Sequence, residues 1–166
     1  MWTALYILTG IAAAASAWLW FWAPGGIRLL RADDRNYLPP NGMLRLTPDR
    51  LHQNLDAHGD EGRKQLRFYL RTYLAFAVLI AGAMAVSTHN TAALAPLRTG
   101  MYIASGVRLV CDLGENALLC ALLRAFPARR TGAERAACIV GTLKWAATIL
   151  WVAALFVGLV FVASKY

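Results

Sequence analysis

The residues able to do chemistry gather in one stretch, Arg108–Asn116, which reads RLVCDLGEN. Asp112 and Glu115 are carboxylates that can hold or pass a proton. Arg108 stands four residues before Asp112, the spacing of an ion pair along a helix. Asn116 adds a carboxamide that both donates and accepts, and Ser105 adds a hydroxyl. At about 100° per residue, Ser105, Arg108, Asp112, Glu115 and Asn116 share one sector of a helix. Gly106, Val110, Leu113, Gly114 and Ala117 occupy the other side. The rest of the segment is apolar enough to span a membrane. Insertion scales put an Arg or Asp at a helix centre at roughly 2.5–3.5 kcal/mol, so these groups need partners from neighbouring helices. Arg71 and Lys144 lie at comparable depth in other segments, and Thr148 follows Lys144 on its own face.

Composition sets the frame for that stretch. The chain has 166 residues, 58% of them hydrophobic, and a mean hydropathy of +0.45. That is too apolar for an ordinary soluble domain. The net charge of +8 is confined to segments between apolar runs. This is the pattern of membrane orientation, and no nucleic-acid partner is expected.

The spacing predicts an all-α integral membrane four-helix bundle, one domain over residues 1–166. Its spans are expected at about 2–22, 61–88, 100–123 and 137–163, with links at 23–60 and 124–136. The first span, Trp2–Trp22, lacks the positive n-region of a cleavable signal, and its end is bulky, Trp18-Leu-Trp-Phe-Trp22. Gly10 and Ala14 are small residues suited to a close helix contact. Pro24-Gly25-Gly26 ends this span. In the link that follows, Leu38-Pro-Pro-Asn-Gly42 is a turn by chemistry. Thr47 and Pro48 then open a short amphipathic helix to about Ala57, with Leu51 and Leu55 on the face expected to pack on the bundle. In the second span Arg71, Ala75, Val78, Gly82 and Ala85 form a face of mostly small residues, expected to take a tight helix contact. Pro96 is expected to break the helix within the short link Ser87–Thr99, and Arg124-Ala-Phe-Pro-Ala-Arg-Arg130 to stop the third span.

Orientation follows from the Lys and Arg count. Residues 23–71 hold nine and residues 124–144 hold five, against Arg98 and Lys165 at the other ends. The positive-inside rule puts both basic links in the cytoplasm and both termini outside.

No cofactor and no metal site is expected. His52 and His58 are six apart and read as solvated, His89 stands alone, and no intramembrane pair is available for haem. Cys111, Cys120 and Cys138 have no CxxC spacing. No nucleotide loop or nucleophile elbow occurs.

His58-Gly-Asp-Glu-Gly-Arg63, Asp112-Leu-Gly-Glu-Asn116 and Lys144 together resemble a set of small bacterial membrane proteins with an Asp-x-x-Glu-Asn motif in the third of four helices. The resemblance covers about residues 45–150. It implies the four-helix architecture and a place in the bacterial inner membrane, and carries no activity. Those proteins also have an acid early in the second helix. Phe68–Ala77 has none, which removes one member of any shared acid pair.

Three functions fit this sequence. The first is a non-enzymatic bundle, a subunit or scaffold whose polar stripe holds the helices in register, with the lipid bilayer and other membrane subunits or further copies as partners. The second is a proton-coupled transporter or ion-conducting oligomer using Asp112 and Glu115. The third is an enzyme or binder for a lipid-soluble substrate, against which stands the lack of a nucleophile, metal set or redox motif.

Overall fold

The computed structural model describes residues 39–90 and 92–163, together with Ile7, Gly10, Ile11, Ala14, Ala17 and Trp18. All secondary structure among the described residues is helical. A 3-10 turn, Pro40–Gly42, precedes four α-helices: α1 (Pro48–Ala57), α2 (Gly59–Asn90), α3 (Arg98–Ala125) and α4 (Thr131–Ala163). α2 and α4 are long and apolar enough to cross a membrane. α3 is long enough as well, but carries Arg108, Asp112 and Glu115 near its middle.

Local chemistry sets the ends of these helices. α1 starts where Thr47 Oγ1 accepts from the Arg50 amide at 3.3 Å, with Pro48 supplying a helical φ. It stops at His58, whose ring bonds the Asn54 carbonyl at 2.6 Å. Gly59, at φ +60°, makes the left-handed turn that sends the chain into α2. Two arginines of α2 then satisfy orphan carbonyls at the ends of other helices. Arg63 donates to Leu55 O of α1 at 3.0 Å, and Arg67 to Leu123 O of α3 at 2.7 Å. Phe126, extended ahead of Pro127, ends α3.

The buried positions recur every three or four residues, one face per helix. α3 turns Met101, Ser105, Arg108, Asp112, Glu115, Leu119 and Leu122 inward, and α4 turns Ala137, Gly141, Lys144, Ala147 and Trp151 inward. At one end the apolar core comprises Leu51 and Leu55 of α1, Leu66 and Leu70 of α2, Leu119 and Leu123 of α3 and Ala137 of α4. At the other end Met84, Met101 and Trp151 pack together, and the Trp151 indole donates to Thr88 Oγ1 at 3.0 Å. The charged residues form a layer between these two clusters.

Several expectations change. Among the described residues, the small-residue face of the second span takes no close helix contact. Arg71, Ala75 and Val78 are exposed, and a Cβ on Gly82 would meet nothing within 4 Å. α2 instead turns in its larger face, with Tyr69, Leu70, Tyr73, Ala77 and Met84, because these side chains bury more apolar area. The helix runs past Ser87 to Asn90, and Pro96 lies inside a 3-10 helix, Ala92–Leu97, which tolerates it near the start of α3. His52 is in α1, its ring 5.4 Å from that of Phe126 and its Nδ1 3.5 Å from Glu134 Oε1, so it is a packing residue and not a solvated one. The span expected at 2–22 and the link 23–38 lie outside the described residues, apart from six helical positions. Those six are exposed, Gly10 and Ala14 among them. The expected packing face on α1 does pack: Leu51 and Leu55 enter the core.

Leu51 is fully buried at the joint of α1 with the bundle. Leu51→Ala is expected to lower stability by about 2–5 kcal/mol. Val110→Ala, at a site 70% exposed, should change it by less than about 0.5 kcal/mol. Unfolding in mixed micelles with a rising SDS fraction measures both.

Candidate functional site

The polar layer is built from three helices and one turn, and Lys144 is its centre. Lys144 is 1% exposed. Its Nζ donates to Glu115 Oε2 at 2.5 Å and to the backbone carbonyl of Asn41 at 2.6 Å, and lies 3.2 Å from Asp112 Oδ1. The ammonium thus makes two hydrogen bonds and a further ion-pair contact.

Asp112 is the second hub and is fully buried. Besides Lys144 it meets Arg108 Nη1 through Oδ2 at 3.1 Å, one helical turn away. Its Oδ1 accepts from the Tyr73 hydroxyl of α2 at 3.5 Å. Arg108 Nε donates to Thr148 Oγ1 at 2.9 Å, and the Thr148 hydroxyl donates to Lys144 O at 2.8 Å. Arg108 and Lys144 therefore balance Asp112 and Glu115 in charge. The local dielectric is low, so each of these contacts is stronger than in water, and each charge is costly if its partner is removed.

Of the residues singled out in the sequence, the structure gathers Arg108, Asp112, Glu115, Lys144 and Thr148 into one network. Asn116 is buried beside them, but neither atom of its carboxamide has a hydrogen-bond partner. Ser105 is buried and donates to Met101 O of its own helix at 2.9 Å. Arg71 does not join. It is exposed on the outer face of α2, and Tyr73 contributes that helix's contact instead.

Three contributors escaped the sequence reading. Asn41 acts through a main-chain carbonyl, which no residue pattern announces. Tyr73, with Tyr69 one turn before it, reads as an aromatic of the apolar face, and only its hydroxyl betrays a polar role. The Asn41 carboxamide lies beside the Tyr69 hydroxyl, its side-chain partner. Gly141 stands one turn before Lys144, and a Cβ there would lie 2.6 Å from Glu115 Oε1. Its missing side chain is what lets the Glu115 carboxylate approach α4. The signal was present in the sequence as a glycine at i−3 from the lysine of the apolar fourth span.

A second polar cluster ties α1 to the α3–α4 turn. Arg129 bonds Asp49 Oδ1 at 2.7 Å and the buried Glu134 Oε2 at 3.2 Å, while His52 meets the other Glu134 oxygen. Hydrogen bonds to Asp49 and then Glu134 hold the Arg129 guanidinium above its usual pKa range. A groove of about 580 Å³ lies nearby, lined by Asp60, Arg63, Lys64, Arg67 and Phe126. Its arginines are spent on helix ends and on Asp60. No group of three or more His, Cys, Asp or Glu among the described residues is arranged to hold a metal ion.

Compared with protein-family models, curated proteins and solved structures, the chain finds no match.

The close approach at Gly141 makes a specific prediction. Gly141→Ala should push Glu115 off Lys144 and destabilise the bundle by about 1–3 kcal/mol. Gly82→Ala meets nothing within 4 Å and should be neutral or stabilising by up to about 1 kcal/mol. The same SDS unfolding series separates the two, and equal effects would contradict the packing described.

Proposed function

We propose that this chain is a small polytopic protein of the bacterial inner membrane, a non-enzymatic bundle acting as a subunit or scaffold. Its Lys144-centred network would then fix the helices in register. One observation carries this reading. The two buried cations and two buried carboxylates cancel in charge, and Lys144 hydrogen-bonds Glu115 and the Asn41 carbonyl while pairing with Asp112. Such pairing uses up the groups that a proton or ion path would need to leave unengaged. A polar network in an apolar bundle also fixes one helix register against others of equal hydrophobicity.

The membrane setting is supported by the outward faces. Val110, Leu150 and Phe156 are each at least two-thirds exposed, as lipid-facing side chains would be. Between α3 and α4 an almost wholly apolar groove of about 440 Å³, lined by Gly100, Ala104, Val107, Ala147 and Leu150 among others, suits acyl chains or a neighbouring helix. In this reading the spans near 2–22, 59–90, 98–125 and 131–163 cross the bilayer, both basic links lie in the cytoplasm, and both termini lie outside. Its partners would be the bilayer and other membrane subunits or further copies of the chain.

A second reading has one observation in its favour. The unpartnered Asn116 carboxamide beside Glu115 is what a proton-coupled transporter or ion-conducting oligomer using Asp112 and Glu115 would retain.

Charge balance gives the test. Lys144→Met leaves two carboxylates facing Arg108 alone and is expected to destabilise by about 3–5 kcal/mol. Adding Glu115→Gln restores the balance and should recover stability, with a coupling of about 1–3 kcal/mol. If Lys144→Met and Glu115→Gln each fold like the parent while proton-linked flux in vesicles is lost, the transporter reading replaces the scaffold.

A further inference from the structure

Charge is balanced in the polar layer and unbalanced at one end of the bundle. The groove of about 580 Å³ between the start of α2 and the end of α3 is lined by Arg63, Lys64 and Arg67, with Asp60, Leu123 and Phe126. Asp60 pairs with Arg63 at 2.6 Å, and the exposed Glu61 with Lys64 at 3.0 Å. Arg67 is held by a neutral group, the Leu123 carbonyl, at 2.7 Å. A carbonyl orients a guanidinium without cancelling its charge. Arg71, one turn further along α2, and Arg124, next to Leu123 on α3, are both exposed. Neither pairs with an acid among the described residues. The positive charges of Arg67, Arg71 and Arg124 are therefore left uncompensated on the two helices that wall the groove.

Apolar surface begins at the same level. Phe68 follows Arg67 and is exposed, and the next exposed side chains of α2 beyond Arg71 are Leu74, Ala75 and Val78. Cations at the edge of an apolar helix surface are placed to meet the phosphate of a lipid whose chains lie on that surface. Long Arg and Lys side chains suit this edge, since their stems cover apolar surface while the charged ends reach outward.

We propose that this groove binds the phosphodiester headgroup of an anionic phospholipid, whose acyl chains lie along the exposed apolar side chains of α2. Charge complementarity selects the occupant. A zwitterionic headgroup brings its own ammonium, which the arginines repel, so the site favours a phosphate without a choline. The bonds from Arg63 to the Leu55 carbonyl and from Arg67 to the Leu123 carbonyl fix both guanidiniums beforehand, so less side-chain freedom is lost on binding. The proposal rests on the membrane setting put forward above and adds a lipid class that the setting does not specify.

Native mass spectrometry of the full chain, titrated in micelles with phosphatidylglycerol or phosphatidylcholine, tests the site. Phosphatidylglycerol should bind several-fold more tightly. Lys64→Gln combined with Arg71→Gln removes two exposed cations that hold no helix end, so circular dichroism should show the parent fold. That pair should weaken phosphatidylglycerol binding by about fivefold per residue removed. Arg45→Gln combined with Arg50→Gln takes the same charge from exposed positions outside the groove and should leave binding within about twofold of the parent. Equal losses in the two pairs would mean attraction to net charge and would overturn the site, as would equal binding of the two lipids. Displacement of the lipid by millimolar glycerol phosphate would assign the groove to a soluble phosphate ester and overturn the lipid as its occupant. A chain that alkaline carbonate strips from phosphatidylcholine vesicles contradicts the membrane setting itself. One that stays inserted but shows no lipid preference contradicts the site alone.

Discussion

Lys144 is the constraint on which the rest of the bundle depends. A primary ammonium on an apolar helix is tolerable only where oxygens stand in for its water, and here Glu115 on α3 and the Asn41 carbonyl on the turn before α1 accept hydrogen bonds while Asp112 on α3 pairs its charge. Satisfying it fixes α3 against α4 in both rotation and translation. A slip of one residue on either helix would turn the lysine or its carboxylates outward. Apolar packing alone does not impose such a register, because α4 is apolar on its exposed and its buried faces alike.

The neighbouring features follow from that fixed point. Glycine at 141 allows the carboxylate to reach the lysine. Tyr73 brings α2 to the same carboxylates, and the apolar clusters on both sides keep the layer from bulk solvent. The turn at Pro39–Gly42 is held by the lysine, and α1, a few residues further on, is locked by Leu51, Leu55 and the Asp49–Arg129–Glu134–His52 cluster. Arg63 and Arg67 then knit the ends of α1 and α3 to α2 through carbonyls that the helices cannot satisfy themselves. The polar groups at this end act mainly on backbone oxygens.

Much of the helical layout was legible in the sequence because it rests on local chemistry. Thr47-Pro48 marked the start of α1 to the residue and the span expected at 61–88 matches α2 within a turn, whereas α4 begins at Thr131, well before the expected 137. The stripe from Ser105 to Asn116 was legible because its period is that of a helix. What escaped depends on rotation about a helix axis and on backbone atoms. In α2 the small-residue face and the Tyr69–Tyr73 face are both plausible packing surfaces by composition. Only the packed bundle decides between them, which is why Arg71 was expected inside and lies outside. Asn41 reaches Lys144 across 103 residues of chain through a carbonyl that every residue possesses. Pro96 was expected to break the helix, and the 3-10 segment Ala92–Leu97 that holds it does separate α2 from α3.

The bracketing of Lys144 can be observed directly. With lysine labelled in 15N and the carboxylate side chains in 13C, dipolar recoupling in bilayers reports contacts between Lys144 Nζ and carboxyl carbons. The account predicts a charged ammonium with strong transfer to both Glu115 Cδ and Asp112 Cγ, and with protons that exchange slowly with bulk water. A Lys144 nitrogen that shows no transfer to either carboxylate and exchanges freely with bulk water would contradict it.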